Sequence, residues 1–215
     1  MKVDVKICGL DREESVDAAA RAGARMLGFV FYSKSPRNLT PSKAFNLISR
    51  VPKGVERVGL FVNPTNQKIS QVLEKNKLDF IQLHGTETPE RINEIRAKIG
   101  LPIIKVVKIS DSKDLKFIRC YEDVSDWLLF DAVPPESMEN SLPGGNSVSF
   151  DWKILAGVKI HKPWILAGGL TKSNVKIAID TSRTRVVDVS SGVEERPGFK
   201  SLEKIKAFID ATRAS

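Results

Sequence analysis

The stretch that decides the fold is WILAGGLTKSNVKIAIDTSRTRVVDVSSG, residues 164–192. It opens with a short apolar run at 164–167, turns at two glycines, and continues into a segment with charges at helical spacing, 172–180. A second apolar run, 186–189, ends in a Ser-Ser-Gly turn. Apolar runs without clean alternation are typical of parallel strands that are covered on both faces. The stretch therefore predicts a strand–helix–strand unit.

The same unit repeats outward along the whole chain, with short connections. The predicted strands are 3–7, 27–31, 57–62, 80–83, 103–107, 127–130, 164–167 and 186–189. The predicted helices are 13–22, one that begins at Thr40-Pro41, 67–75, 89–98, 112–119, a short one at 152–156, 172–180 and 202–212. Eight such units in 215 residues predict an α/β fold, the (β/α)8 TIM barrel. An open doubly wound sheet is the alternative, but it would not require eight units.

Composition sets the class of protein. No linker or low-complexity segment interrupts the units, so residues 1–215 are expected to form a single (β/α)8 barrel domain. No apolar run is long enough for a membrane span, and the N-terminus lacks the apolar core of a secretory signal. The two cysteines, Cys8 and Cys120, form neither a disulfide framework nor a zinc motif. We therefore expect a cytoplasmic protein with no metal site and no membrane partner.

The formal net charge of +8 suits two kinds of partner. One is nucleic acid and the other is a small anionic metabolite. The lysines and arginines are scattered along the chain, and their mild local concentrations lack interleaved aromatic residues. Dispersed charge favours the metabolite, and we expect no nucleic-acid partner.

Glycine-rich turns follow the last two predicted strands, where a barrel of this kind commonly holds a phosphate. Glycines let backbone N–H groups approach phosphate oxygens, and a helix N-terminus adds a favourable dipole. Each turn by itself is also compatible with a simple tight turn, but two at consecutive strand ends favour phosphate binding. The candidate phosphate ligands are Gly168, Gly169, Ser190, Ser191 and Gly192.

Two reactive side chains end the first and sixth predicted strands, Cys8 and Asp131. In a closed barrel these ends face each other across the mouth, where a thiol and a carboxylic acid could act as an acid–base pair. The thiolate would need a lowered pKa, which a basic mouth favours. A buried core cysteine and an aspartate that caps the next loop are the alternatives.

Two further polar residues stand at strand ends with open roles. Arg37, in SKSPRNLT, could clamp a carboxylate with both arms of its guanidinium group, although a lone loop arginine is more often a solvated charge. His84, in QLHG, could line the site or act as a base, although an isolated histidine is more often structural.

The strand-end motifs, taken together and in order, resemble the phosphoribosylanthranilate isomerase family. The matching motifs are KICGL, GFVFYSKSPR, VGLFVN, QLHG, PGG with FDW, LAGGLT and VDVSSGVEERPG, spread over residues 6–200. The family has the (β/α)8 fold and belongs to the tryptophan pathway. The resemblance implies an Amadori rearrangement of N-(5'-phosphoribosyl)anthranilate to 1-(2-carboxyphenylamino)-1-deoxyribulose 5-phosphate, without cofactor or metal.

The resemblance also implies a role for each candidate residue. Asp131 would be the general acid that protonates the furanose ring oxygen, and Cys8 the general base that removes the C2 proton of the opened sugar. Arg37 would meet the anthranilate carboxylate, the two glycine-rich turns would hold the phosphate, and His84 and Asp188 would line the site. The partner would be a phosphosugar substrate, and either a monomer or a homodimer is compatible with the sequence.

One departure and two related enzymes bear on this interpretation. Asn146-Ser147 stands where many members of the family have Thr-Gly or a similar small pair, and Ser147 would be strained if that position needs a positive φ. An indole-glycerol-phosphate synthase would need a catalytic lysine; Lys108 ends the fifth predicted strand, but no matching Glu-Lys set accompanies it. A dual-substrate isomerase would be expected to have aspartate where this chain has Cys8.

Overall fold

A computed structural model describes residues 2–135, 138 and 141–213. Eight parallel strands form a closed barrel in chain order, and β8 pairs with β1 through Asp4–Val186 to Ile7–Val189. The predicted (β/α)8 barrel is therefore confirmed, and the open sheet is wrong. The strands are β1 Asp4–Cys8, β2 Met26–Val30, β3 Glu56–Phe61, β4 Phe80–Leu83, β5 Ile103–Ile109, β6 Trp127–Ala132, β7 Trp164–Leu166 and β8 Val186–Val189.

Three of the helices that cover the barrel begin after a capping threonine. Thr40, Thr65 and Thr88 each accept a hydrogen bond from the backbone N–H three residues ahead, and Pro follows Thr40 and Thr88 at the first helical position. The α-helices are α1 Glu13–Ala22, α2 Pro41–Ile48, α3 Asn66–Leu73, α4 Pro89–Ile99, α5 Phe117–Glu122, α6 Val175–Ser182 and α7 Leu202–Arg213. None of the helices in this described part is long and apolar enough to cross a membrane.

Three predicted helices differ from the observed ones. The predicted helix 112–119 is a 3-10 helix, Ser112–Lys116, that leads into α5, and the predicted helix 152–156 is a 3-10 helix, Trp152–Leu155. Helix α6 begins later than predicted because Asn174 ties the chain into a turn first. Its side chain accepts a hydrogen bond from the Thr171 N–H and donates one to the Gly169 carbonyl.

Two short strands after β8 were not predicted. Strands β9, Glu194–Arg196, and β10, Phe199–Lys200, form an antiparallel pair around Pro197-Gly198. Gly198 has φ +79°, a conformation that glycine adopts without strain. This small hairpin carries two charged residues, Glu194 and Lys200, back toward the mouth of the barrel.

The barrel interior changes character along its axis. Alternate strand residues face inward, and eight buried apolar residues fill the interior: Met26, Val58, Ile104, Val106, Leu129, Ile165, Ala167 and Val186. The opposite strand faces pack against the helices in the main hydrophobic core. Toward the carboxyl ends the inward positions are largely polar. The polar inward residues are Lys6, Gln82, His84, Lys108, Asp131 and Asp188, and Cys8 lies among them. The carboxyl end of the barrel interior therefore contains a layer of polar and ionisable side chains.

Candidate active site

A cleft of about 800 Å³ opens at the carboxyl ends of the strands. Its lining includes every residue that the sequence predicts for the site: Cys8, Arg37, His84, Asp131, Gly168, Gly169, Asp188, Ser190, Ser191 and Gly192. These residues come from six barrel strands and the loops after them. The structure thus brings all ten predicted site residues to one cavity, and their individual roles remain predictions.

Asp131 is held as an anion at the end of β6. Its Oδ2 atom lies 2.6 Å from Lys108 Nζ and 3.1 Å from His84 Nε2, and its Oδ1 accepts a hydrogen bond from the Ala132 N–H. Burial raises the pKa of Asp131, but the hydrogen bond from His84 and the positive charge of Lys108 outweigh it and lower the pKa to about 2. The carboxylate is therefore ionised at neutral pH.

His84 contacts Asp131 as a neutral imidazole. Burial lowers the pKa of His84, so the ring is uncharged at neutral pH. Because Asp131 is an anion, the ring nitrogen that faces it, Nε2, carries the proton and donates. The other nitrogen, Nδ1, then accepts from the Gln82 side chain, 3.1 Å away. Asp131 therefore sets the tautomer of the histidine, and Gln82, which was not predicted as a site residue, holds the other ring nitrogen.

Cys8 lies in an apolar part of the mouth. Its side chain is buried against Val30 and Leu60, and burial raises the pKa of the thiol. The positive charge of Lys6 acts in the opposite direction but does not outweigh the burial. The lowered pKa that a thiolate base would need is therefore absent from this arrangement, because burial against an apolar wall raises the pKa of Cys8 by more than Lys6 and Lys200 lower it.

Asp188 forms an ion pair inside the barrel rather than standing free in the mouth. Lys6 Nζ donates to Asp188 Oδ1 over 3.0 Å, and both side chains are buried. Lys6 was not predicted as a site residue. Period-two alternation could have found it, since Lys6 lies two residues before Cys8 on the same strand and so faces the same side.

Arg37 is buried, so the interpretation as a solvated loop charge is wrong. Its Nε and Nη2 atoms each lie 2.7 Å from a different carboxylate oxygen of Glu194. Lys200 Nζ reaches the same carboxylate over 2.7 Å and also donates to the Ser190 carbonyl and hydroxyl. The fork of Arg37 is therefore occupied within the protein. Glu194 and Lys200 were not predicted as site residues, because they lie on the β9–β10 hairpin, which was not predicted either.

The two glycine-rich turns pack directly against each other. A Cβ atom on Gly192 would lie 1.9 Å from the Leu170 carbonyl oxygen, so only glycine fits there. Lys200 fixes the start of the same turn through Ser190. A short 3-10 helix, Ser191–Val193, follows β8 at this point. The turns after β7 and β8 thus form one continuous backbone surface on the cavity wall.

The loop after β6 lies over the cavity. Ser147 has φ +59°, which is a left-handed conformation. The position where many members of the family have glycine therefore does need a positive φ in this chain. The Asn146 side chain accepts from the Leu142 N–H and donates to the Leu142 carbonyl, which closes the loop on itself. A Cβ atom on Gly144 would lie 2.6 Å from the His84 ring. This loop therefore covers the Asp131 side of the mouth.

The fold is a (β/α)8 barrel, and its cavity at the carboxyl ends of the strands brings a carboxylate, a thiol and two glycine-rich turns together, as in an enzyme of this fold. The family model for N-(5'-phosphoribosyl)anthranilate (PRA) isomerase matches residues 5–211. An N-(5'-phosphoribosyl)anthranilate isomerase of Paramagnetospirillum magneticum is 51% identical over 99% of this chain and 98% of its own length. The chain belongs to the N-(5'-phosphoribosyl)anthranilate isomerase family.

Solved structures agree in fold. A crystal structure of a phosphoribosylanthranilate isomerase in complex with reduced 1-(o-carboxyphenylamino)-1-deoxyribulose 5-phosphate is 34% identical, with a TM-score of 0.84 over 99% of this chain and 100% of the other. A structure of monomers of the dimeric Thermotoga maritima enzyme is 33% identical, with a TM-score of 0.81 over 99% and 100%. The activity predicted from the resemblance is confirmed: the chain is an isomerase of tryptophan biosynthesis that catalyses the Amadori rearrangement of N-(5'-phosphoribosyl)anthranilate.

Proposed function

We propose that Asp131 and Cys8 are the general acid and the general base of this rearrangement, and that the reaction needs no cofactor or metal. The observation that supports this most is that both side chains line one cavity together with the two glycine-rich turns. A phosphate held at the turns would place the sugar ring between the acid and the thiol.

The proposed chemistry has two proton transfers. Asp131 protonates the ring oxygen, the bond from that oxygen to the anomeric carbon breaks, and the anthranilate nitrogen lone pair forms a cationic Schiff base. The Cys8 thiolate then takes the C2 proton, whose bonding electrons form the enolamine that tautomerises to the ketose. The positive Schiff base acidifies the C2–H bond, so a modest base suffices.

The resting protonation of the pair is the reverse of the reacting one. Asp131 is ionised and Cys8 is protonated, which is the state that the forward reaction leaves behind. Protonating Asp131 at neutral pH costs about 7 kcal/mol with its present neighbours. Substrate supplies two anionic groups, a phosphate and a carboxylate, which would raise the pKa of Asp131 on binding. We therefore propose that each turnover begins with the return of a proton to Asp131, which the substrate anions favour, and with the loss of the thiol proton of Cys8, which the positive charge of Lys6 favours.

Substrate recognition follows from the remaining lining residues. The phosphate binds at Gly168, Gly169, Ser190, Ser191 and Gly192. Because Glu194 occupies two nitrogens of Arg37, the carboxylate of the substrate would approach Nη1, which faces Gly145. His84 and Asp188 act through the groups that they touch, Asp131 and Lys6.

We also propose that the protein acts in the cytoplasm on a small phosphosugar, without a nucleic-acid partner, as a monomer or a homodimer. The dimeric Thermotoga maritima relative makes a homodimer the state to test first, by sedimentation.

The experiment that tests the acid–base proposal is turnover of freshly made N-(5'-phosphoribosyl)anthranilate, followed by loss of its fluorescence. We expect Cys8→Ser and Asp131→Asn each to lower kcat by about 10²–10⁴-fold. Cys120→Ser is the matched control, because Cys120 is an exposed thiol and should leave turnover unchanged. Folding of each variant is checked by circular dichroism. An active Cys8→Ser variant would place the base elsewhere.

A further inference from the structure

A buried lysine lies beside the proposed base. The side chain of Lys6 is fully buried; its ammonium group pairs with Asp188, and its positive charge acts on the Cys8 thiol. Lys6 and Cys8 project from the same face of β1, into the barrel. A buried ammonium group is costly unless it is paired, and Asp188 provides the permanent partner at 3.0 Å.

A glycine on the neighbouring strand makes room for this contact. Gly28 on β2 pairs with Cys8 across the sheet. A Cβ atom on Gly28 would lie 2.9 Å from Cys8 Sγ and 3.2 Å from Lys6 Nζ. The sulfur and the ammonium nitrogen thus converge on the one place where β2 has no side chain. The substitution Gly28→Ala would therefore displace both the sulfur and the ammonium group.

The charged groups around Cys8 have opposing effects. Lys6 and, from the hairpin, Lys200 favour the thiolate, whereas Asp188 on β8 opposes it. Strand β2 presents Gly28 and the apolar Val30 to the same space, so it contributes no charge. The stability of the thiolate therefore depends on how far Asp188 already neutralises the positive charge of Lys6.

We propose that Lys6 is a positioning residue of the reaction: its ammonium group, held by Asp188 and admitted by Gly28, is the counterion of the Cys8 thiolate. The proposal rests on the proposed function of Cys8 as the base. When the thiol proton leaves, Lys6 gains a second anion on the side of Gly28 and keeps its ion pair with Asp188. When Cys8 takes the C2 proton, Lys6 returns to its ion pair with Asp188.

The test is a titration of the Cys8 thiolate by its ultraviolet absorbance in the Cys120→Ser background, which removes the other thiol. The double variant Lys6→Met/Asp188→Asn removes both buried charges and keeps the side-chain volumes similar, so it avoids an unpaired buried ion. We expect it to raise the pKa of Cys8 by about one pH unit or more. Asp188→Asn alone should lower that pKa, because the thiolate becomes the counterion that Lys6 lacks.

A purely structural role for Lys6 would not shift the pKa of Cys8 in opposite directions in the two variants. If neither variant moves the titration, or if both raise the pKa equally, the proposal is overturned. If the double variant does not fold, Asp188→Asn decides, and an unchanged titration then contradicts the proposal. Turnover distinguishes a failure of this proposal from a failure of the proposed function. If the titrations shift but Cys8→Ser is fully active, Lys6 is the counterion of the Cys8 thiolate, but Cys8 is not the base.

Discussion

Each of the two sides of the barrel mouth has a lysine near a proposed proton-transfer group, but the pKa of that group shifts in opposite directions on the two sides. On the acid side, defined by His84, Lys108 and Asp131, the pKa of the carboxyl group falls to about 2. On the base side, defined by Lys6, Cys8 and Asp188, the pKa of the thiol rises. Lys108 contacts Asp131 directly, and the positive charge of Lys6 acts on the Cys8 thiol.

The difference lies in what else each lysine touches. Lys108 is partly exposed, lies 2.6 Å from Asp131, and acts together with a hydrogen bond from His84. Lys6 is fully buried and already paired with Asp188, so its net effect on the thiol is reduced. Cys8 also packs against apolar side chains, which penalise the thiolate. A cation therefore lowers the pKa of a neighbouring acid less when another anion already neutralises part of its charge.

The contrast between the two lysines is tested most strongly at Lys108. We expect Lys108→Met to raise the pKa of Asp131 by about one to three pH units. The protonated fraction of Asp131 at neutral pH then grows by about tenfold or more, and kcat/KM should increase rather than decrease. The pH profile of kcat/KM is the measurement, with Lys113→Met, an exposed lysine on the 3-10 helix before α5, as the control. A fall in kcat/KM would mean that Lys108 takes a direct part in the reaction.

A second prediction concerns acid stability on the same side. The pKa of Asp131 is about 2 in the folded protein and 3.8 in the reference state, so its ionised form stabilises the fold. That contribution, about 2 kcal/mol, is fully present above pH ~4 and is lost as the pH falls through about 2. Urea unfolding at several pH values should show wild type losing its advantage over Asp131→Asn in this window. An equal difference in stability at every pH would contradict the assigned ionisation.

The smallest expected effect is at Ser147, in the loop over the acid side. Ser147→Gly relieves a left-handed conformation but makes the unfolded chain more flexible, so the net gain in unfolding free energy is expected to stay below about 1 kcal/mol. Asn146 still closes the loop through Leu142 in this variant. Thermal unfolding measures the stability, with Ser141→Gly as the control within the same loop. A clear loss of stability in Ser147→Gly would show that the serine side chain supports the closed loop.

Much of the molecule was predictable because its signals are local. Helix α1 and strands β4 and β8 lie exactly where the apolar pattern places them, since strand and helix periods are set by neighbouring residues. The ten predicted site residues also lie in one cavity, because in a parallel barrel every strand end faces the same mouth. Order along the chain is enough to predict that they meet.

The sequence by itself thus determined the barrel, ten of the residues that line its mouth and the family. Only the tertiary structure decided the charges that surround them. Lys6 meets Asp188 across 182 positions, and Arg37 meets Glu194 across 157. A pKa depends on distance in space and on burial, and neither is encoded in the spacing of residues along the chain. That is why the sequence predicted an acid and a thiol at the mouth, whereas only the fold indicated that their resting protonation is the reverse of the one in the proposed mechanism.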